Sequence, residues 1–259
     1  MTMTRLSLTY LLSILLTVTI SAQSDVESPQ VGRVLVPFSV GEKLTYDVRF
    51  GPLRVGTGGM SVEGMESIRG IEAWHTVFTV KGGTFFYKVE DKFESWFDTR
   101  SLASLRHIQD IDEGKRERTR RFEIFPDSGV YIENDDEPKP TVKDPLDDGS
   151  FLYFIRTVPF SVGQTYEFER YFRPDRNPVK IRVLRKERIE VPAGTFNTIV
   201  IQPIIKTKGI FSEKGRAEIW LTDDDKRIMV QMKSTLSFGS LNLYLRSYQP
   251  GLRSATQRR

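Results

Sequence analysis

VPFSVGEKLTYDVRF (Val36–Phe50) and VPFSVGQTYEFERYF (Val158–Phe172) open with the same hexapeptide, 122 positions apart (158 − 36). In the first copy Leu44, Tyr46, Val48 and Phe50 alternate with Thr45, Asp47 and Arg49. A period of two marks a strand with one buried and one wet face. Gly41 and Gly163 suit a turn that needs positive φ, while Pro37 and Pro159 keep the preceding residue extended. The stretch therefore reads as the start of the first strand in each half of an internal duplication.

The likeness extends beyond the opening words. KGGTFFYKVEDKFESWF (Lys81–Phe97) lines up with KTKGIFSEKGRAEIWL (Lys206–Leu221), pairing Phe86 with Phe211 and Trp96 with Trp220. Alternating segments broken by Gly, Pro, Asn and Asp recur along the rest of the chain, among them Thr165–Phe172, Val179–Glu190 and Ile228–Ser237. That pattern is typical of antiparallel hairpins. The exception is Leu146–Val158, where Phe151, Phe154, Ile155 and Val158 fall at helical spacing behind a capping residue, Asp147 or Asp148. The expected fold is all-β: about a dozen antiparallel strands in two tandem similar halves, forming a strongly curved sheet or partly open β-barrel. One short helix lies between the halves.

The domain organisation follows. Residues 1–22 read as a signal peptide, with an early Arg5, an apolar run Leu6–Ile20 and small residues Ser21 and Ala22 at the cleavage point. A flexible segment spans residues 23–35. A single β-rich domain covers 36–249, with half 1 at about 36–144, the linking helix at about 146–158 and half 2 at about 158–249. Residues 250–259 read as a disordered tail. With no cysteine, neither disulfides nor a thiol-linked lipid can form, so an exported domain would depend on its core alone. Lys and Arg number 38 against 34 Asp and Glu, a balance too even to require an anionic partner. Nucleic acid is not expected as a partner of an exported chain, and peripheral membrane contact is allowed.

Motifs for chemistry are sparse. Two histidines, His75 and His107, fall in different strands without ligand spacing, so both read as half-buried strand residues and no metal site is expected. No Gly-x-Ser-x-Gly elbow occurs. Asp223–Asp225 and Glu133–Glu137 lack the ligand spacing of a calcium loop and read as solvated turns. In KRERTRR (Lys115–Arg121), Arg116, Arg118 and Arg120 project to one side of a strand. They could receive phosphate or carboxylate groups, or simply protect an edge strand with charge. Trp96 and Trp220 could stack on a ligand but fit core packing better. Phe154, on the linking helix, completes the candidate ligand-binding set. No catalytic residue and no cofactor is expected.

The segments FSVGEKLTYDV, VKDPLDDGSFLYFIRTVPFSVGQTYEF, EVPAGTFNTIVI and GRAEIWLTDDDKRIMVQM resemble an exported bacterial family known as domain of unknown function 3108. The likeness runs from about Phe38 to Tyr248. One departure is Met229, where the family usually has proline. The resemblance implies an exported β-rich protein and supplies no catalytic residues. Together these readings lead to a non-enzymatic periplasmic or envelope protein that binds an apolar or amphipathic ligand, a lipid for example, or an envelope partner. By analogy of fold alone, this is similar to exported half-barrels that carry lipids or lipoproteins. The alternative is a scaffold that recruits an envelope protein by strand addition. A carboxylate-dependent hydrolase comes third.

Overall fold

The computed structural model describes residues 35–84, 87–114, 116–206, 211, 216–236 and 239–252. The segment read as a signal peptide, Phe86 and the last seven residues lie outside them. The first half supplies β1 (Lys43–Phe50), β2 (Leu53–Ile68), β3 (Ile71–Thr84), β4 (Tyr87–Asp98), β5 (Ser104–Glu113) and β6 (Arg116–Phe125). Two short strands follow, β7 (Val130–Glu133) and β8 (Lys139–Pro140), then helix α1 (Asp148–Phe154) and a 3-10 turn at Ile155–Thr157. The second half supplies β9 (Thr165–Phe168), β10 (Val179–Val191), β11 (Gly194–Ile204), β12 (Glu218–Thr222), β13 (Met229–Leu236) and β14 (Gly239–Gln249).

All strands belong to one 14-stranded sheet that does not close. It runs from β8 through β7, β6, β5, β4, β3 and β2 to β1, which pairs with β14, and from there through β13, β12, β11 and β10 to β9. Every pairing between named strands is antiparallel.

The two hexapeptides do the same work. Gly41 has φ +84° and Gly163 +83°, a region that costs glycine little and other residues more. Gly41 N–H donates to Val62 O at 2.8 Å, and Val62 N–H donates back to Glu42 O at 3.0 Å. Gly163 and Val183 repeat the first bond at 2.9 Å, and Val183 with Gln164 repeats the second at 2.9 Å. A register shift follows each valine, between Val62 and Gly64 and between Val183 and Arg185. Trp96 and Trp220 also correspond: each sits at a shift in its strand's pairing and donates its indole N–H to a glutamate, Glu66 at 2.9 Å and Glu187 at 2.6 Å. Each half rolls up on itself. The β2–β3 turn sends Arg69 to Ile124 O at 2.6 Å, and the β10–β11 turn sends Ala193 N–H to Leu245 O at 2.9 Å.

Rolling places the inward side chains in one shared core that includes Leu44, Tyr46, Phe97, Phe122, Ile181 and Leu243. Helix α1 lies inside that roll. The expected stripe of Phe151, Phe154, Ile155 and Val158 is buried, but so are Gly149, Ser150, Leu152 and Tyr153, so every helical residue except the half-buried Asp148 is covered, rather than one face alone. Asp147 is its cap, accepting from Gly149 N–H at 2.8 Å and Ser150 N–H at 2.9 Å. The same oxygen accepts the Ser95 hydroxyl at 2.6 Å, which ties the helix start to β4. Gly149 is needed there because a Cβ would lie 2.2 Å from Ser95 Oγ. Relief would break the bond from Ser95 to Asp147, so Gly149→Ala should cost about 1–3 kcal/mol, read as a fall in thermal midpoint.

Arg156, just beyond the helix, joins three parts of the chain. Its guanidinium donates to Glu42 at 2.6 and 3.0 Å and to Lys226 O at 3.1 Å. It also lies over the Phe38 and Tyr153 rings. The pair with Glu42 is almost fully buried, with side chains 1% and 2% exposed. Nearby, Tyr46 donates its hydroxyl to Met229 O at 2.9 Å. A backbone carbonyl takes that bond, so methionine at this position serves it without any demand on its side chain. At the C-terminal end, Leu252 N–H donates to Val40 O at 2.8 Å, so the chain stays seated on the first hexapeptide beyond β14.

Candidate functional site

Alternation along β3 to β6 builds one wall of a cavity of about 410 Å³. Phe78 on β3 faces Phe93 on β4, Phe93 faces Gln109 on β5, and Gln109 faces Arg120 on β6. This cross-strand row is apolar at one end and cationic at the other. Ile111 and Phe122 continue it on the same face. The opposite walls come from Asp148, Gly149 and Leu152 of the helix, from Tyr171, Phe172, Arg173 and Arg176, and from Ile205, Phe211 and Met232 of the second half.

Alternation over Thr165–Phe172 predicts a strand as far as Phe172. Pairing instead ends at Phe168, and Pro174 opens a 3-10 turn at Pro174–Arg176. Asn177 takes over the missing strand bonds, accepting from Tyr171 N–H at 2.8 Å and donating to Tyr171 O at 2.9 Å. The excursion turns Tyr171, Phe172, Arg173 and Arg176 into the cavity.

The polar groups form two chains at its rim. In one, Glu133 accepts from Arg173 at 3.0 Å and pairs with Arg120 at 3.4 Å. In the other, Arg176 donates to the Tyr171 hydroxyl at 3.1 Å, Tyr171 donates to Asp148 at 2.9 Å, and Gln109 donates to Asp148 at 3.0 Å. Burial pushes the Tyr171 phenol well above its ordinary pKa, so it stays a donor. Burial and then the like charge of Arg118 lower the Arg120 guanidinium from its usual value, and Arg173 and Arg176 act in the same sense. Arg173 lies over the Phe122, Phe172 and Tyr131 rings at 5.2, 5.4 and 5.9 Å, which cover its plane and hold it in place.

The residues singled out from sequence separate into distinct places. Arg120 is in the cavity wall, and Arg118 stands opposite Ile111 on the same face. Arg116 lies on β6, but its side chain is outside the described residues. Trp96 stacks on His75 at 4.3 Å and joins a small cluster with Ile68 and Leu105, away from the cavity. Trp220 is flanked by Arg185 and Lys233 and likewise takes no part in the wall. Phe154 packs edge-on to Phe168 at 5.0 Å beneath the Arg170 guanidinium, within the core rather than the wall.

A second cluster carries no signature in the sequence. His107 is fully buried rather than half-buried, as is Asp147, and Ser95 is 1% exposed. These are the residue types of a hydrolytic triad, and Ser95 Oγ lies 3.2 Å from His107 Nδ1, yet the Ser95 hydroxyl donates its shorter hydrogen bond to Asp147 at 2.6 Å, and His107 Nδ1 lies 2.8 Å from Glu94 O. The hydroxyl has no route to a substrate, and the arrangement serves to cap the helix. In the Asp223–Asp225 turn, Asp224 accepts from Thr222, Lys226 N–H and Arg227 N–H, as a solvated turn requires. Among the described residues no group of three His, Asp or Glu is placed to hold a metal.

The fold resembles that of a solved structure. A beta-barrel-like protein of domain of unknown function DUF1849 from Brucella abortus matches with a TM-score of 0.55 at 11% identity, over 83% of this chain and 99% of that one. A structure described as a "putative lipoprotein", from Parabacteroides distasonis, matches with a TM-score of 0.37 at 10% identity, over 83% and 98%. No curated protein matches. The first likeness establishes a shared barrel-like fold and nothing of function. The family model for proteins of unknown function DUF3108 matches residues 45–246, from β1 to β14, and the chain belongs to that family.

Proposed function

We propose that this protein is an exported, non-enzymatic carrier or sensor that holds an apolar or amphipathic ligand inside its curved sheet. The observation that carries the reading is the cavity of about 410 Å³, which remains although Gly149–Phe154 of the helix are buried in the same interior. Cores are normally packed with few voids larger than a water molecule, and ligand sites are apolar pockets of about 300–1,000 Å³ with a few converging polar groups. Export rests on the N-terminal sequence, and the sealed Ser95 speaks against hydrolysis by that cluster. The scaffold alternative draws less support. The terminal strands β8 and β9 are two and four residues long, and β10 carries the charges Arg185, Lys186, Glu187, Arg188 and Glu190 beyond its pairing with β9.

Protein purified without detergent should release an amphiphile on organic extraction, and native mass spectrometry should show its mass on the folded chain. Ile111→Trp would fill the cavity from β5 with a residue that strands accommodate well. It should abolish that adduct while the ligand-free thermal midpoint moves by no more than about 1 kcal/mol in stability. Adduct of equal abundance in both proteins would place the ligand elsewhere and defeat the proposal.

A further inference from the structure

The charge pattern of the cavity specifies more than an amphiphile. Building on the ligand-binding role proposed for this cavity, we infer that the ligand is a single-chain amphiphile with an anionic oxygen head, phosphate or carboxylate. The head sits among Arg118, Arg120, Arg173 and Arg176, and the chain runs toward Phe78 and Phe93. The guanidiniums of Arg120, Arg173 and Arg176 line the cavity, the exposed Arg118 stands two positions from Arg120 on the same face of β6, and two carboxylates answer them there, Glu133 and Asp148. Glu133 is shared between Arg120 and Arg173, while Asp148 is engaged by Tyr171 and Gln109. Arg176 has a neutral phenol as its hydrogen-bond partner. Arg118 has no carboxylate partner among the described residues, and the buried Nε of Arg173 has no hydrogen-bond partner. After burial, the like charges of Arg118, Arg173 and Arg176 act to lower Arg120, an unfavourable repulsion. A bound oxyanion would relieve it, and guanidinium forks fit carboxylate and phosphate oxygens bidentately.

The volume limits the tail. If a methylene fills about as much space as a water, roughly 30 Å³, then 410 Å³ holds on the order of a dozen of them. That is one chain, not two.

The test uses the mature full-length protein and four probes below their micellar concentrations: dodecyl phosphate, dodecanoate, dodecanol and dodecyltrimethylammonium, with inorganic phosphate as a fifth. Isothermal titration should show the two anions binding about ten- to a hundredfold more tightly than dodecanol, because charge-assisted hydrogen bonds are added to the same apolar contact. The cationic probe should be weakest, and inorganic phosphate should not compete at comparable concentration. The variant R118Q/R120Q should lose about tenfold or more of the affinity for the anions and leave dodecanol unchanged. Because Arg118 is exposed, R118E alone gives the same reading in a protein whose folding is not in question. Equal binding of dodecanol and the anions would overturn the head-group assignment and leave the cavity's ligand-binding role standing. Competition by inorganic phosphate alone would show a simple anion site and overturn the amphiphile. No binding by any dodecyl probe would overturn both.

Discussion

Arg156→Ala is expected to be among the most damaging single substitutions in the domain. The guanidinium and Glu42 are buried together, so removing one partner leaves an uncompensated charge in the core. Breaking such pairs costs about 3–5 kcal/mol, and for a domain of this size each kcal/mol lowers the thermal midpoint by roughly 2–4 °C. A fall of about 6–20 °C is therefore expected. Arg156→Lys should recover only part of it, since an ammonium cannot reach both carboxylate oxygens and Lys226 O in a fixed fork. Replacing both members, Glu42→Leu with Arg156→Met, should be milder than either single change, because the stranded charge is then gone. A single variant that melts within a degree or two of the parent would show that the pair does not hold the hexapeptide, the linker and the β12–β13 turn together.

Asp147→Ala should be nearly as severe, and for a different reason. Loss of an ordinary helix cap costs about 1 kcal/mol. Here the same Oδ1 also receives the Ser95 hydroxyl, and every group involved is buried. Alanine leaves two buried backbone N–H groups without partners, each at about 1–3 kcal/mol, and the Ser95 hydroxyl with only His107 Nδ1 at 3.2 Å, so a total of roughly 2–6 kcal/mol is expected. Asp147→Asn keeps the accepting oxygen and replaces Oδ2, which has no hydrogen-bond partner. It should retain most of the stability. Urea unfolding of the three proteins checks this, and equal losses for Ala and Asn would mean that the carboxylate charge, not the acceptor, secures the helix.

The fold is legible in the sequence because it depends on local pattern. Period-two alternation, Gly41 and Gly163 in their turns, and the spacing of Phe151, Phe154, Ile155 and Val158 are all readable from neighbouring residues. Trp96 and Trp220 each lie at a register shift of their strand, yet both lie outside the cavity, because alternation gives the two faces of a strand without saying which one turns inward. Arg120 stands out in the basic run on β6. Its companions Arg173 and Arg176 do not, since they reach it on the unpaired excursion after Phe168, far from it in sequence. The prolines of FRPDRNP (Phe172–Pro178) signal that the strand breaks, but not where the broken chain points. The triad-like cluster is invisible for the same reason: Ser95, His107 and Asp147 come from two strands and a helix cap.

The joint between β1 and β14 has a further implication. Two identical six-strand units related by a two-fold axis would make every contact twice, so the junction of β1 with β14 would have a twin between β9 and β6. In this chain β6 pairs with β7 instead, and the connector crosses the gap, with Leu146 bridged to Tyr171 and Thr141 donating to Phe172 O at 2.6 Å. Arg120 and Phe122 lie on one lip of that unmade seam, Tyr171 and Arg173 on the other. The cavity is therefore the place where symmetry fails.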